Sequence, residues 1–215
     1  MRTYVPYIFL GALLLSTAPC YAQFMPVVAK TREVEETSKD GKLLETHVRE
    51  GVYYRSSDGS VLEYWTAIDG SPEKAKLSMG GNTFFDNTNG SSYTLDLQNH
   101  RAKLEDSGHP MQADSIRNRS DGKAYPEEWV SGVRCKVHPL KMRINIKGPG
   151  ELFPAGQICV SPDYGLFLKR EMTYPSADGG TEHVVWTIQN VEMGKEPDGK
   201  LFAEVRSMAA AQPGR

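Results

Sequence analysis

QICVSPDYGLFLKREMTYPSADGGTEHVVWTIQNVEMGKEPDGKLF, residues Gln157 to Phe202, carries the clearest punctuation in the chain. A strand closing near Cys159 meets Ser161-Pro162-Asp163-Tyr164-Gly165, a turn in which Pro presets φ and Gly supplies positive φ without a side-chain clash. Leu166 to Tyr174 reads as the next strand, a Pro- and Gly-containing turn follows, and Glu182 to Glu192 reads as a last long strand. In it Val184, Trp186 and Ile188 alternate with Val185, Thr187 and Gln189, the period-two pattern of a sheet with one covered face. The stretch is expected to close an antiparallel sheet, with Asp198 capping a short turn and Leu201 and Phe202 plugging the end.

Upstream the same grammar repeats. Lys39-Asp40-Gly41-Lys42 holds an Asp-Gly pair, the preferred occupant of a two-residue hairpin turn whose central positions both need positive φ. Runs at Val27–Thr37, Leu43–Glu50, Val52–Arg55 and Val61–Thr66 flank it and the next turn at Ser56-Ser57-Asp58-Gly59. Asp69-Gly70-Ser71-Pro72 reads as a loop and Ala75 to Met79 as a weak strand. Thr83–Phe85, Ser91–Leu97 and Arg101–Leu104 then continue the meander. No stretch free of Gly and Pro sets apolar residues at i, i+3, i+4 and i+7 over three turns, so helix is expected to be minor. Residues 105–125 are polar and are expected as a mobile loop between two halves of one sheet, because neither half alone would cover its surface well. Trp129–Val137, with Val133, Cys135 and Val137 on one face, and Met142–Ile146 resume the strands before Gly148-Pro149-Gly150 breaks them. The reading is one all-β domain with minor helix over residues 23–205, a curved antiparallel sheet or open half-barrel, and a disordered tail from Arg206 to Arg215.

The 215-residue chain opens with Arg2, an apolar run from Tyr7 to Leu15 and a small-residue exit at Cys20-Tyr21-Ala22. This is the order of a secretory signal peptide over residues 1–22, too short an apolar run for a membrane span. Lipidation of Cys20 is the alternative, and Pro19 fits it poorly. Without the signal the charges stand at 24 basic to 27 acidic, against 25 to 27 in the whole chain. That balance offers no basic surface for nucleic acid. Of three cysteines, Cys135 and Cys159 remain. An even number in an exported chain implies a disulfide, and their spacing is unlike the C-x-x-C of a redox pair. The compartment expected is periplasmic or secreted.

Catalytic signatures are missing from the sequence. His47, His100, His109, His138 and His183 are scattered, without zinc-ligand spacing; His100 and His109, flanking the polar stretch, are the pair to test. Glu196 and Asp198 are the most conspicuous carboxylates, but turn chemistry explains them better than an acid/base pair with divergent pKa values. There is no G-x-S-x-G elbow and no phosphate loop. The expectation is a non-enzyme without cofactor or metal.

Four segments recur together in a broad group of uncharacterised exported bacterial proteins that this chain resembles. They are Tyr54-Arg55-Ser56-Ser57-Asp58-Gly59, Tyr93 to His100, Ser161 to Leu166, and Glu196-Pro197-Asp198-Gly199-Lys200-Leu201-Phe202. That group is similar in architecture to periplasmic lipoprotein-carrier-type half-barrels. The resemblance implies non-catalytic binding of a lipophilic ligand or an acylated protein in a concave sheet. Tyr64, Phe84, Tyr93, Leu95, Trp129, Val184, Trp186 and Ile188 are the candidates to line that face, with Tyr64, Phe84, Tyr93, Trp129 and Trp186 as the ligand-binding set. Their closing a dry core is the competing reading. A structural module that docks a protein partner through the exposed loop or a sheet edge is the alternative function.

Overall fold

The computed structural model describes residues 24–77, 81–111, 123–144, 151–175 and 179–211; the expected signal peptide, the turn at 148–150 and most of the loop at 112–122 lie outside them. Eleven strands form one antiparallel sheet. They are β1 (Val27–Lys39), β2 (Lys42–Arg55), β3 (Val61–Ile68), β4 (Thr83–Asp86), β5 (Ser91–Asp96), β6 (Arg101–Ser107), β7 (Glu127–Val130), β8 (Val133–Ile144), β9 (Glu151–Ser161), β10 (Leu166–Pro175) and β11 (Thr181–Met193). The spatial order is β6-β5-β4-β3-β2-β1-β11-β10-β9-β8-β7. Two meanders are therefore fused where the first strand pairs with the last. The all-β, open-sheet reading holds. The stretch from Gln157 to Phe202 does not close an edge, however: β11 is the central seam, paired with β1 on one side and β10 on the other.

Turn chemistry sets the hairpins. Asp40 and Gly41 have φ of 51° and 72°, as a two-residue turn between Lys39 and Lys42 requires. Ser131 and Gly132, with φ of 51° and 78°, make the same turn between Val130 and Val133. The β1–β2 ladder shifts by one residue between Thr37 and Ser38, and below that bulge Glu33 pairs with Arg49 and Thr31 with Gly51.

The sheet is strongly curved. In its order β11, β1, β2 and β3 are consecutive, so on a flat sheet the strands bearing Trp186 and Glu63 would lie about 14 Å apart, at ~4.8 Å per step. Yet Trp186 Nε1 donates to Glu63 Oε1 at 2.5 Å, and the Trp186 and Tyr53 rings meet at 6.5 Å. The face carrying these side chains is the concave one. Its core includes Val27, Ala29, Tyr53, Trp65, Leu168, Trp186 and Ile188, with the Cys135–Cys159 disulfide in the same cluster. The disulfide joins neighbouring strands β8 and β9, with Cα atoms 5.4 Å apart.

Two helices depart from the sequence reading. α1 (Pro72–Leu77) replaces the expected weak strand, because the Ser71 hydroxyl accepts from the Lys74 N–H and Pro72 takes the first helical position. α2 (Gly199–Ala210) includes residues expected in the tail: Asp198 caps it by accepting from the Lys200 N–H at 2.9 Å. Phe202, Val205 and Met208 then share one buried stripe against Leu62, Phe84, Leu95 and Ala102. Arg206, expected to fray, reaches Asp58 at 2.7 Å, Ser60 Oγ at 2.9 Å and Asp86 at 3.4 Å. In the sequence this stripe gives only a weak helical signal, because Phe202, Val205 and Met208 stand among Ala, Ser and charged residues. Glu105–Ser107, expected as loop, completes β6. The chain then returns at Met111, whose N–H donates to Asn87 Oδ1.

Phe202 is 4 % exposed and meets the Phe84 ring edge-on at 6.1 Å. Phe202→Ala is expected to destabilise by about 3–5 kcal/mol, as truncation of a buried Phe does; a denaturant melt within about 1 kcal/mol of wild type would mean that α2 is not docked. Cys159→Ala is expected to lose about 3 kcal/mol under oxidising conditions. Reduced wild type should melt with that variant.

Candidate functional site

The concave face is built in rows across strands. One row runs Arg170, Trp186, Glu33, Arg49 over β10, β11, β1 and β2. The next holds Ile188, Thr31, Gly51 and Trp65, and the one beyond holds Ala29, Tyr53 and Glu63. Directly opposed residues point to the same side, so these rows gather three large aromatics and four charged side chains on one face. Trp65, Trp186 and Tyr53 are 6 %, 6 % and 8 % exposed. Gly51 makes this packing possible, since a β-carbon there would stand 2.6 Å from the Tyr64 carbonyl and 2.9 Å from Trp65 Cε3.

Charge is embedded among the rings. Glu33 is buried and lies 3.5 Å from Arg49 and 3.7 Å from Arg170, while Arg49 also sits 3.5 Å from Glu35. Burial pushes the Glu33 carboxyl up, against the pull of both guanidinium groups. Glu63 is further from compensation. Burial lifts its carboxyl to about 7, opposed by the hydrogen bond from Trp186 and by Arg170. The Arg49 guanidinium lies 5.9 Å from the Trp65 ring centroid, within cation–π range. An apolar floor with a few convergent polar groups is the usual makeup of a small-molecule site.

The five residues expected to bind ligand are not brought together. Trp186 stands on the concave face. Tyr64, Phe84 and Tyr93 belong to the other face, in the cluster beneath α2, where Phe84 and Tyr93 stack at 6.0 Å. Trp129 is 72 % exposed on β7, the strand at one edge of the sheet. Leu95 is also under α2, whereas Val184 and Ile188 share the Trp186 side of β11. Tyr53, Glu63, Trp65, Glu33, Arg49 and Arg170 were missed. The signal for them was the ladder register, which needs the one-residue bulge at Thr37/Ser38 that no sequence cue marks.

The remaining candidates resolve into supports. Glu196 Oε1 accepts from the Ser57 N–H and hydroxyl, and Asp198 caps α2, so the pair does two separate structural jobs. His100 lies 3.7 Å from Glu204 of α2, and the His109 backbone packs over Gly90. His47 bridges Glu45 and Asp69 at 2.9 and 3.1 Å. Among the described residues no cluster of three His, Cys, Asp or Glu side chains could hold a metal, and no helix is long and apolar enough to cross a membrane.

The raised Glu63 carboxyl predicts a pH dependence. Folded Glu63 keeps its proton between its ordinary value of 4.5 and about 7, where the unfolded chain has lost it. Stability from this group is therefore complete below 4.5 and falls as pH rises to 7, by up to about 3 kcal/mol at ~1.4 kcal/mol per unit. Glu63→Gln should flatten that part of the profile. Parallel stability curves for wild type and variant from pH 4 to 8 would contradict the assignment.

No family model matches the chain, and no curated protein matches it. Among solved structures it is similar to a crystal structure described as an outer membrane lipoprotein-sorting protein domain from Vibrio parahaemolyticus, at 9 % identity and a TM-score of 0.26, over 82 % of this chain and 88 % of that one.

Proposed function

We propose that the protein is an exported, non-catalytic binder whose concave face takes up a lipophilic ligand or the acyl chain of a modified protein. The observation that carries this reading is the makeup of that face. Tyr53, Trp65 and Trp186 line a curved sheet whose edge strands β6 and β7 are not paired to each other, and buried Glu33 and half-buried Glu63 lie among the rings. A dry core would favour aliphatic packing without ionisable groups. A mixed floor suits a molecule with a long apolar part and a polar end. Of the aromatics named from the sequence, Trp186 stays in this site, while Tyr64, Phe84 and Tyr93 serve it by holding α2 against the sheet. The Cys135–Cys159 bridge fits an oxidising compartment outside the cytoplasm.

A second reading has an observation of its own. Trp129, 72 % exposed on the four-residue edge strand β7, is a large apolar anchor that a partner's surface could cover at the sheet edge. On that reading the protein docks a partner through the edge, and the concave face is filled by its own side chains.

Native mass spectrometry and solvent extraction of the purified mature protein separate the two. Bound lipid at near one equivalent, displaced by Trp186→Ala but kept by Trp129→Ala, is the expected result. A lipid-free protein that takes up no fatty acid would remove the binder reading and leave the edge.

A further inference from the structure

The β7–β8 hairpin overhangs the sheet. Among the described residues β7 pairs with β8 alone, from Glu127↔Lys136 to Val130↔Val133, while the β8–β9 ladder begins only at Lys136↔Val160. Residues 127–134 therefore stand beyond the rung that joins β8 to its other neighbour. Yet the tip reaches back to the middle of the sheet. The Ser131 hydroxyl donates to the Ile188 carbonyl of β11 at 2.8 Å, although β10 and β9 lie between β11 and β8 in the strand order. Val133 is buried, and Val130 packs against the same cluster, which holds Leu166, Leu168 and Ile188 of the concave face. Arg134 lies 3.3 Å from both carboxylate oxygens of Asp163 in the β9–β10 turn, but both side chains are well exposed and such pairs contribute little.

The root of the overhang is fixed in another way. Cys135, the residue after it, is bonded to Cys159 of β9, and this bridge belongs to the cluster that Val130 and Val133 join, its cysteines 0 % and 2 % exposed. One end of the hairpin is covalently anchored and the other is held by a hydrogen bond and two valines. Glu127, Trp129, Ser131 and Gly132 are already exposed, so lifting the tip strips little buried surface, the condition for low local stability. We infer that residues 127–134 form a flap that pivots at Cys135, latches through Ser131 to Ile188, and by lifting opens the apolar end of the concave face. Such an entrance is needed there, because Tyr53, Trp65 and Trp186 are enclosed while the flap is down. Leu166, Leu168 and Ile188 suit an acyl chain, and that part rests on the lipophilic-binder reading; the motion itself does not.

The disulfide is a built-in reporter, because a reductant reaches an enclosed bridge only while its cover is away. The test measures how fast dithiothreitol reduces Cys135–Cys159 in the native mature protein, together with hydrogen exchange at the amides of residues 202–208 in α2, on the other face of the sheet. Ser131→Ala removes the latch and is expected to raise the reduction rate about fivefold, the population effect of one hydrogen bond, with α2 exchange unchanged. Arg134→Gln, at a more exposed place, should give a smaller rise in the same direction and stands in if the first variant does not fold. Equal reduction rates in wild type and both variants overturn the flap, as do α2 amides that quicken in proportion, since the bridge would then be reached without opening or only by global unfolding. Dodecanoate, followed by tryptophan emission after rapid mixing, tests the gate: its uptake and release should both quicken in Ser131→Ala. Unchanged uptake and release in a variant whose bridge is reduced faster remove the gating role. No uptake by wild type, with the reduction result standing, removes the binder reading and leaves the flap.

Discussion

The antiparallel ladder between β1 and β11 is the constraint on which everything else hangs. It pairs Val27–Ser38 with Thr181–Met193 and turns two meanders into one sheet. Without it the halves would be two smaller sheets, each with a second exposed edge, and the row from Arg170 through Trp186 and Glu33 to Arg49 would not exist. The partners are distant in sequence, so much loop entropy is lost before their contacts form. Each meander, by contrast, is local and turn-directed. The architecture is that of two hairpin stacks assembling first and a seam sealing them.

Three stretches of the chain, around 54–59, 161–166 and 196–206, meet at one end of that seam. Arg55 donates to the Met25 and Gly165 carbonyls and lies 5.8 Å from the Phe24 ring, joining the residues just before β1 to the β9–β10 turn. Ser57 receives Glu196, and Asp58 receives Arg206. Burial opposes ionisation of Asp58, but hydrogen bonds from Ser56, the Ser60 N–H, Arg206 and Ser60 outweigh it and hold the carboxyl below its ordinary range. These contacts are a clamp that fastens the C-terminal helix and the N-terminal strand to one hairpin. Placing the concave face and its aromatics follows from that fastening.

Fold class was legible because turns and alternation are local. Asp40-Gly41 marked the first hairpin, and the Val184-Trp186-Ile188 alternation marked the covered face of β11. What was not legible depended on register and partners. Read from the Asp-Gly turn without the bulge, Glu33 would oppose Val48 and point to the wrong side; one extra residue turns it towards Arg49. Aromatic residues alone could not be sorted between two apolar faces. Tyr64 and Trp65 are neighbours in sequence, yet one packs beneath α2 and the other against Gly51. A sheet covered on both faces in different halves has no single inside for alternation to indicate.

An open sheet also has two ends at which it could keep growing. β7 is only four residues long and begins with Glu127 and Glu128, while β6 exposes Arg101, Lys103, Glu105 and Asp106 along its length. Short, charged edges are poor templates for another strand. At high concentration that is the difference between a dispersed protein and a fibre, so these unremarkable strands set the colloidal behaviour of a chain whose concavity stays unclosed.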